Sequence, residues 1–135
     1  METTLHRQLK EHYAEAPDQT EVMLGRVRID AIAGDELIEI QHGPLAAIRD
    51  KVGRLLKQHK VRVVKPLVVK KQLVKRQRKS GKVVDRRQSP KRCTILDVFH
   101  ELVYFTRVFP HRQLTLEVPL VEVEEWRYPG HGRRR

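Results

Sequence analysis

The sequence is short of several residue types, and each shortage excludes a class of protein. Its single cysteine, Cys93, cannot form an internal disulfide, and no Cys and His cluster has the spacing of a zinc site. No apolar run approaches the roughly 20 residues of a membrane span, and the N-terminus lacks the hydrophobic stretch of a signal peptide. The sequence therefore predicts a soluble cytoplasmic protein with no membrane partner. The seven histidines are scattered, and we interpret them as structural or solvated.

Aromatic residues are also rare, at 5% of the 135 residues. No predicted strand carries the stacking aromatic side chains of an RNA-recognition sheet. This scarcity disfavours a small RNA-binding or ribosome-associated protein, which is the third function that we consider.

Acidic residues are nearly absent from one segment. Residues 70–92 contain Asp85 as their single acid against eleven basic residues, so nearly all of the net charge of +11 lies there. The eleven are Lys70, Lys71, Lys75, Arg76, Arg78, Lys79, Lys82, Arg86, Arg87, Lys91 and Arg92. A concentrated basic element is typical of proteins that bind the phosphate backbone. We predict that these residues bind nucleic acid, with DNA as the expected partner; the alternative is a solubilising surface.

The length of the chain fits one hydrophobic core. We predict a single domain over residues 1–128 and a disordered basic tail over residues 129–135. Apolar periodicity predicts helices over residues 4–16, 44–59 and 94–105 and a buried parallel strand over residues 61–64. Residues 67–89 predict a projecting hairpin with its turn at Ser80-Gly81. Residues 113–126 predict a terminal strand, with Pro119 at an edge or a bulge.

Residues 20–41 predict a meander of three antiparallel strands. Its two breaks begin with Gly25 and Gly34, and glycine at the first central position suits a two-residue type I′ or II′ hairpin. Strand side chains alternate between the two faces of a sheet. One face of the meander is therefore apolar throughout, with Val22, Leu24, Val27, Ile29, Ala31, Ile38 and Ile40.

Acidic residues form a row on the other face. Closing both turns places Glu21 and Glu39 on either side of Asp30. Two carboxylates and a carbonyl at that spacing suit Mg²⁺, and Mn²⁺ is the other cation that we consider. The alternative is an ordinary wet face on which Arg26 and Arg28 neutralise the acids in weak surface pairs.

The order of these elements, with an acid on the second strand and Glu-x-Gln on the third, resembles the core of the PD-(D/E)XK nuclease superfamily over residues 4–66. The resemblance implies an α/β (α+β) fold: a restriction-endonuclease-like αβββαβ core with a mixed central sheet, followed by the basic hairpin, a helix and a strand. It also implies a metal-dependent nuclease that acts on phosphodiesters of nucleic acid. The alternative is a catalytically inactive nucleic-acid-binding module of the same fold. Dimers are common among such nucleases, and the sequence leaves open whether this protein forms a homodimer.

Site residues follow from the resemblance, position by position. It implies that Asp30 and Glu39 ligate the metal and that the main-chain carbonyl of Ile40 is a third ligand. Glu21 replaces no residue that the superfamily requires, but its cross-strand position makes it a candidate for an extra ligand or for a second-metal site. These ligands would hold Mg²⁺ or Mn²⁺.

Gln41 stands where the superfamily has its signature lysine. Glutamine carries no charge to stabilise a developing phosphorane, although it can orient a water. In some members of the superfamily the lysine lies on the following helix, where Lys51 and Arg49 are candidates here; the alternative for both is a solvated helix face. We predict a catalytic set of Asp30, Glu39, Gln41 and Lys51.

Overall fold

The computed structural model of the chain describes residues 4–77, 81–89 and 94–127. The helices are α1 (Thr4–Tyr13), α2 (Arg49–Leu55) and α3 (Ile95–Leu102), and the strands are β1 (Thr20–Leu24), β2 (Val27–Ala33), β3 (Glu36–Ile40), β4 (Lys60–Val64), β5 (Leu67–Arg76), β6 (Val83–Gln88), β7 (Leu114–Glu117) and β8 (Leu120–Arg127). The strands form two mixed sheets, which confirms the predicted α+β class. Within these described ranges, no helix has the length and apolar character needed to cross a membrane.

The chain divides into two compact units. The first comprises Met1–Pro66 with Leu96–Pro119, and the second comprises Leu67–Ile95 with Leu120–Arg135. The five-stranded sheet lies in the first unit and the three-stranded sheet in the second. The single domain predicted over residues 1–128 stays a prediction, and the predicted tail over residues 129–135 lies outside the described residues.

The sheet of the first unit has the strand order β1-β2-β3-β4-β7. β1, β2 and β3 are antiparallel, whereas β4 runs parallel to both β3 and β7. Both predicted turns form, with φ of 61° at Gly25 and 62° at Gly34. Positive φ at the first central residue alone is the type II′ pattern. The meander, the crossover helix and the parallel strand after it are thus as predicted.

Two hydrophobic cores pack against this sheet, and the face predicted to be apolar throughout is divided between them: Ile29, Leu24 and Val27 belong to one core, and Ala31, Ile38 and Ile40 to the other. Neighbouring strand residues point to opposite faces, and Leu37 and Ile38 accordingly belong to different cores. Leu37 packs with Val52 of α2, whereas Ile38 belongs to the core that contains Leu9 of α1. Leu37 and Glu39 are both 4% exposed. The face that carries the acids is therefore buried at these positions, and the predicted alternative of a wet acidic face is wrong there.

Several element boundaries differ from the prediction. The second helix begins as a 3-10 turn over Leu45–Ile48, and α2 follows it. The predicted single strand over residues 113–126 is two strands, because β7 pairs with β4 and β8 pairs with β5. Pro119 lies between them, at neither an edge nor a bulge. It lacks the N–H that would continue a ladder.

In the second unit, β5 and β6 form the predicted antiparallel hairpin; Ser80 of its predicted turn lies outside the described residues. β8 runs parallel to β5 on its other side. The hairpin is therefore not the free ribbon that its basic composition predicted. β5 is the central strand of a sheet, and Val74 within it is fully buried.

Candidate functional site

Asp30 and Glu39 lie side by side where the ladder between β2 and β3 ends. The last regular pair is Ala31 with Ile38. Beyond it, the Asp30 N–H donates to Glu39 Oε2 at 3.1 Å, and the Ile40 N–H donates to Asp30 Oδ2 at 2.9 Å. Each carboxylate thus bonds to the main chain of the opposite strand. This cross-bonding holds the two acids against each other.

A lysine from α2 contacts one acid of this pair. Lys51 Nζ donates to Glu39 Oε1 at 2.6 Å and to the Arg28 carbonyl at 2.7 Å. Val52, the next residue, is fully buried in the core against the sheet, and this packing fixes the helix beside the acids. The solvated helix face is thus the wrong interpretation for Lys51. Arg49 instead donates to the Tyr104 carbonyl at 3.3 Å.

Burial and the neighbouring charge of Asp30 disfavour the ionised form of Glu39. Burial raises the pKa of its carboxyl, and the charge of Asp30 raises it further. The hydrogen bond from Lys51, the charge of Lys51 and the Asp30 N–H act in the opposite direction. The net direction is upward, so burial and the charge of Asp30 together outweigh the contacts that Lys51 makes with Glu39.

Glu21 leaves the predicted acidic row. Its φ is 50°, a left-handed conformation within a strand. Its carboxylate accepts a hydrogen bond from Arg28 Nη1 at 3.0 Å and lies 3.3 Å from Lys10 Nζ. Lys10, and then Arg28, hold the pKa of Glu21 below its ordinary value. The observed site is therefore a pair of acids, and Glu21 is neutralised beside it.

One face of α1 supplies a partner for an acid at each turn. His6, Lys10 and Tyr13 follow the spacing i, i+4, i+7, which places them on one side of a helix. Their partners are Asp30, whose Oδ1 lies 3.5 Å from His6 Nε2, then Glu21, and finally Glu117, which accepts the Tyr13 hydroxyl. Lys10 is only 4% exposed. This spacing of polar residues on the buried side was the signal that sequence analysis missed.

The histidines near the acids were also missed. The rings of His6 and His42 are 5.3 Å apart between centroids. Burial lowers the pKa of His42, the charges of His6 and Lys65 lower it further, and Asp30 opposes them. His42 follows β3 in an irregular loop, so no periodic pattern indicated its position.

A buried lysine fixes that loop. Lys65 is 6% exposed, and its Nζ donates to the carbonyls of His42 at 3.0 Å and Gly43 at 2.6 Å. Glu101 lies 3.2 Å from the same ammonium and also accepts the Leu45 N–H at 2.9 Å. The loop after β3 is therefore held by hydrogen bonds from Lys65 and to Glu101.

Gln41, in the signature lysine position, belongs to the same loop. Its Nε2 donates to the Pro44 carbonyl at 2.9 Å, and its main-chain N–H donates to the Val64 carbonyl at 2.9 Å. The amide thus stabilises the turn from β3 towards α2. Lys51, rather than Gln41, supplies the contact with Glu39.

The basic hairpin carries less free charge than its sequence indicates. Lys71 lies 2.6 Å from Glu125, and Arg86 lies 2.8 Å from Glu124. Both acids belong to β8, which is distant in sequence and pairs with β5 in the same sheet. The Arg76 guanidinium stacks 3.8 Å from the centre of the Trp126 ring. Of the other predicted nucleic-acid-binding residues, Lys70, Lys75, Lys82 and Arg87 are described, and Arg78, Lys79, Lys91 and Arg92 lie outside the described residues.

Among the described residues, no group of three or more His, Cys, Asp or Glu side chains could hold a metal ion. The acid pair offers two carboxylates and the adjacent main-chain carbonyl of Ile40. A cation there would depend on water for its remaining ligands, as Mg²⁺ in proteins usually does.

Comparison with known proteins gives a family and a distant relative. The family model described as "Domain of unknown function (DUF8091)" matches residues 3–135. A protein of Treponema pallidum (strain Nichols), named only as an uncharacterized protein, is 27% identical over 124 residues, which are 91% of this chain and 49% of the relative. The chain thus spans about half the length of that relative. No solved structure matches the chain.

Proposed function

The chain belongs to the DUF8091 family, and we propose that it is a divalent-metal-dependent nuclease with a restriction-endonuclease-like core in its first unit. The topology supports this core. α1 precedes an antiparallel meander, and α2 then crosses over to β4, which lies parallel to β3. This is the αβββαβ order that the sequence resemblance implies. The acids lie on β2 and β3, as the same resemblance requires.

The observation that carries the proposal is the contact between Lys51 and Glu39 at 2.6 Å. A nuclease of this type needs two acids and a nearby cationic side chain. Asp30 and Glu39 supply the acids, and α2 supplies the cation that Gln41 cannot. Three elements that are separate in sequence thus meet at one point.

The donor set fits a hard cation. Asp30, Glu39 and the Ile40 carbonyl would hold Mg²⁺ or Mn²⁺, which take oxygen ligands. The close approach of the two carboxylates supports this assignment, because a cation between the acids would relieve their mutual repulsion. When bound, such an ion polarises a phosphodiester and lowers the pKa of a coordinated water.

The remaining roles belong to the side chains around the pair. Beside a Glu39 that held the ion, the Lys51 ammonium would be free to donate to a phosphoryl oxygen or to orient the attacking water. His6 lies against the other side of Asp30 and restricts how that carboxylate can rotate. Gln41 and Lys65 hold the loop that follows β3, so the Ile40 carbonyl keeps its direction.

The test is cleavage of plasmid DNA and of labelled DNA and RNA oligonucleotides with Mg²⁺, Mn²⁺ or EDTA. We expect cleavage with either metal, none in EDTA, and a loss of about 100-fold or more in Asp30→Asn and in Lys51→Met. Asp35→Asn is the matched control, because Asp35 is an exposed acid of the same unit whose partner is Lys60. Mn²⁺ titration calorimetry of Asp30→Asn should show no binding. Cleavage that survives in Asp30→Asn would refute the proposal.

A catalytically inactive nucleic-acid-binding module is the second candidate. Gln41 favours it, since an uncharged amide stands in the signature lysine position and bonds to the Pro44 carbonyl. This candidate predicts nucleic-acid binding that EDTA does not change, no heat of Mn²⁺ binding, and no cleavage under any metal.

A further inference from the structure

A basic groove runs along α2, outside the acid pair. It has a volume of about 360 Å³ and is lined by four cations, Arg49, Arg54, Lys57 and Arg107, by one acid, Asp50, and by Gly53 and Val108. All of these residues belong to the first unit. The lining therefore carries a local charge of +3 in the unit that also contains Asp30 and Glu39.

Among the described residues, three of the four groove cations lack an acidic partner, whereas Arg49 pairs with Asp50 and donates to the Tyr104 carbonyl. Arg54, Lys57 and Arg107 are exposed, and within the described part of the chain none of the three has a carboxylate partner. Arg49 Nε is buried without a hydrogen-bond partner there, and the nearest oxygen of Asp50 is 3.7 Å away. This differs from the hairpin, where acids of β8 neutralise Lys71 and Arg86.

Close packing builds the groove. A Cβ atom at Gly53 would lie 3.3 Å from a methyl group of Val108, a tighter contact than side chains normally make. Glycine at this point of α2 lets the segment after α3 approach the helix. Phe105 and Val108 anchor that segment in the core. Arg107 between them is thereby held beside the cations of α2.

The groove begins within one helical turn of Lys51, the residue that contacts Glu39. Lys51, Arg54 and Lys57 are spaced i, i+3, i+6 along α2 and the turn that follows it. Residues three apart are neighbours on a helix surface, with a rise of about 4.5 Å. Lys51 contacts Glu39, so the row leads from the acids into the groove.

We infer that this groove binds the phosphodiester backbone of the nucleic acid on one side of the acid pair. The inference takes its ligand from the proposed function. Guanidinium and ammonium groups that lack protein partners suit phosphate oxygens, and neutralised phosphates release counterions. Contacts of this kind position the strand and do not read its bases. The groove therefore orients the substrate without sequence preference, and the path of the strand follows α2.

Fluorescence anisotropy with a labelled duplex DNA in EDTA tests this inference. The test variant is Arg54→Gln, Lys57→Gln and Arg107→Gln combined. The matched control is Arg7→Gln, Arg26→Gln and Arg112→Gln combined, which removes the same charge from exposed positions of the same unit. We expect the test variant to bind about tenfold more weakly or worse, and its plot of log affinity against log salt to be shallower by about 2 to 3. The control should keep nearly the wild-type affinity.

Any other result would contradict the inference that the groove binds nucleic acid. Equal losses in both variants would mean that only total charge matters, and no loss in either would mean that the DNA lies elsewhere. A wild-type protein that binds no duplex DNA would overturn the inference directly. Metal-dependent cleavage is measured separately, so the two proposals fail independently. If the wild-type protein cleaves DNA and the test variant binds DNA normally, only the groove inference fails. If the test variant alone loses binding and the wild-type protein cleaves no DNA, only the nuclease proposal fails.

Discussion

Lys51 Nζ lies 2.6 Å from Glu39 Oε1, although the two residues are twelve positions apart in the chain and the turn into α2 lies between them. Glu39 is 4% exposed and has Asp30 as its neighbour. A helix therefore delivers a cation to a carboxylate that the sheet has buried beside another carboxylate. This relationship underlies the proposed chemistry, and it also has measurable consequences for stability.

Lys51→Met should lower the free energy of unfolding by about 1.5–3 kcal/mol at neutral pH, because it leaves a buried carboxylate without its charged donor. Urea denaturation gives the value. Lys60→Met is the control: Lys60 pairs with Asp35 at 3.4 Å, but both side chains are more than half exposed, so the change should be within about 0.5 kcal/mol. Equal effects in the two variants would show that the Lys51 contact has no special role.

Glu39→Gln should change how stability depends on pH. The pKa of Glu39 is raised above its ordinary 4.5 in the folded protein, so the folded state binds the proton more tightly than the unfolded state. Its contribution is complete below 4.5 and is lost as pH rises through the folded pKa. Denaturation in EDTA across acidic to neutral pH should therefore show Glu39→Gln gaining stability relative to wild type as pH rises. Parallel curves would contradict this.

Tyr13 should titrate separately from an ordinary tyrosine. Burial, followed by the hydrogen bond to Glu117 and its charge, raises the pKa of the Tyr13 phenol from 10.0 to about 12. Ultraviolet titration should show a late phenolate that Tyr13→Phe removes, and Glu117→Gln should move it towards 10.0. The stability due to this phenol is present below 10.0 and is lost as pH rises through about 12. Circular dichroism along the titration verifies that the protein is folded. An unchanged late phenolate in Tyr13→Phe would rule out the assignment.

Gly53→Ala should show coupling with Val108. Alanine favours a helix over glycine by about 1 kcal/mol, but its Cβ would lie 3.3 Å from a methyl group of Val108. In a Val108→Ala background that contact is absent, so Gly53→Ala should stabilise by close to the full helix propensity. In the wild-type background the gain should be smaller or reversed. A double-mutant cycle measures the difference, and additive effects would show that the close approach costs nothing.

Local chemistry made part of the fold predictable. Gly25 and Gly34 take the positive φ that two-residue hairpin turns require, and this fixed the register of the meander. The apolar run at residues 61–64 gave the parallel strand. By contrast, one strand was predicted where Pro119 divides two. Nothing in the local pattern shows which partner each half pairs with, because both halves alternate in the same way.

By itself, the sequence determined that Asp30 and Glu39 lie side by side, because strand alternation and two short turns leave little freedom over a few residues. Only the tertiary structure decided which cations meet the acids. Lys51 reaches Glu39 because the buried stripe of α2 docks on the sheet, and Lys71 and Arg86 are neutralised because β8 joins the sheet of the hairpin by pairing with β5. Such pairings depend on contacts between segments distant in the chain, and charge counts or periodicity along the sequence carry no record of them.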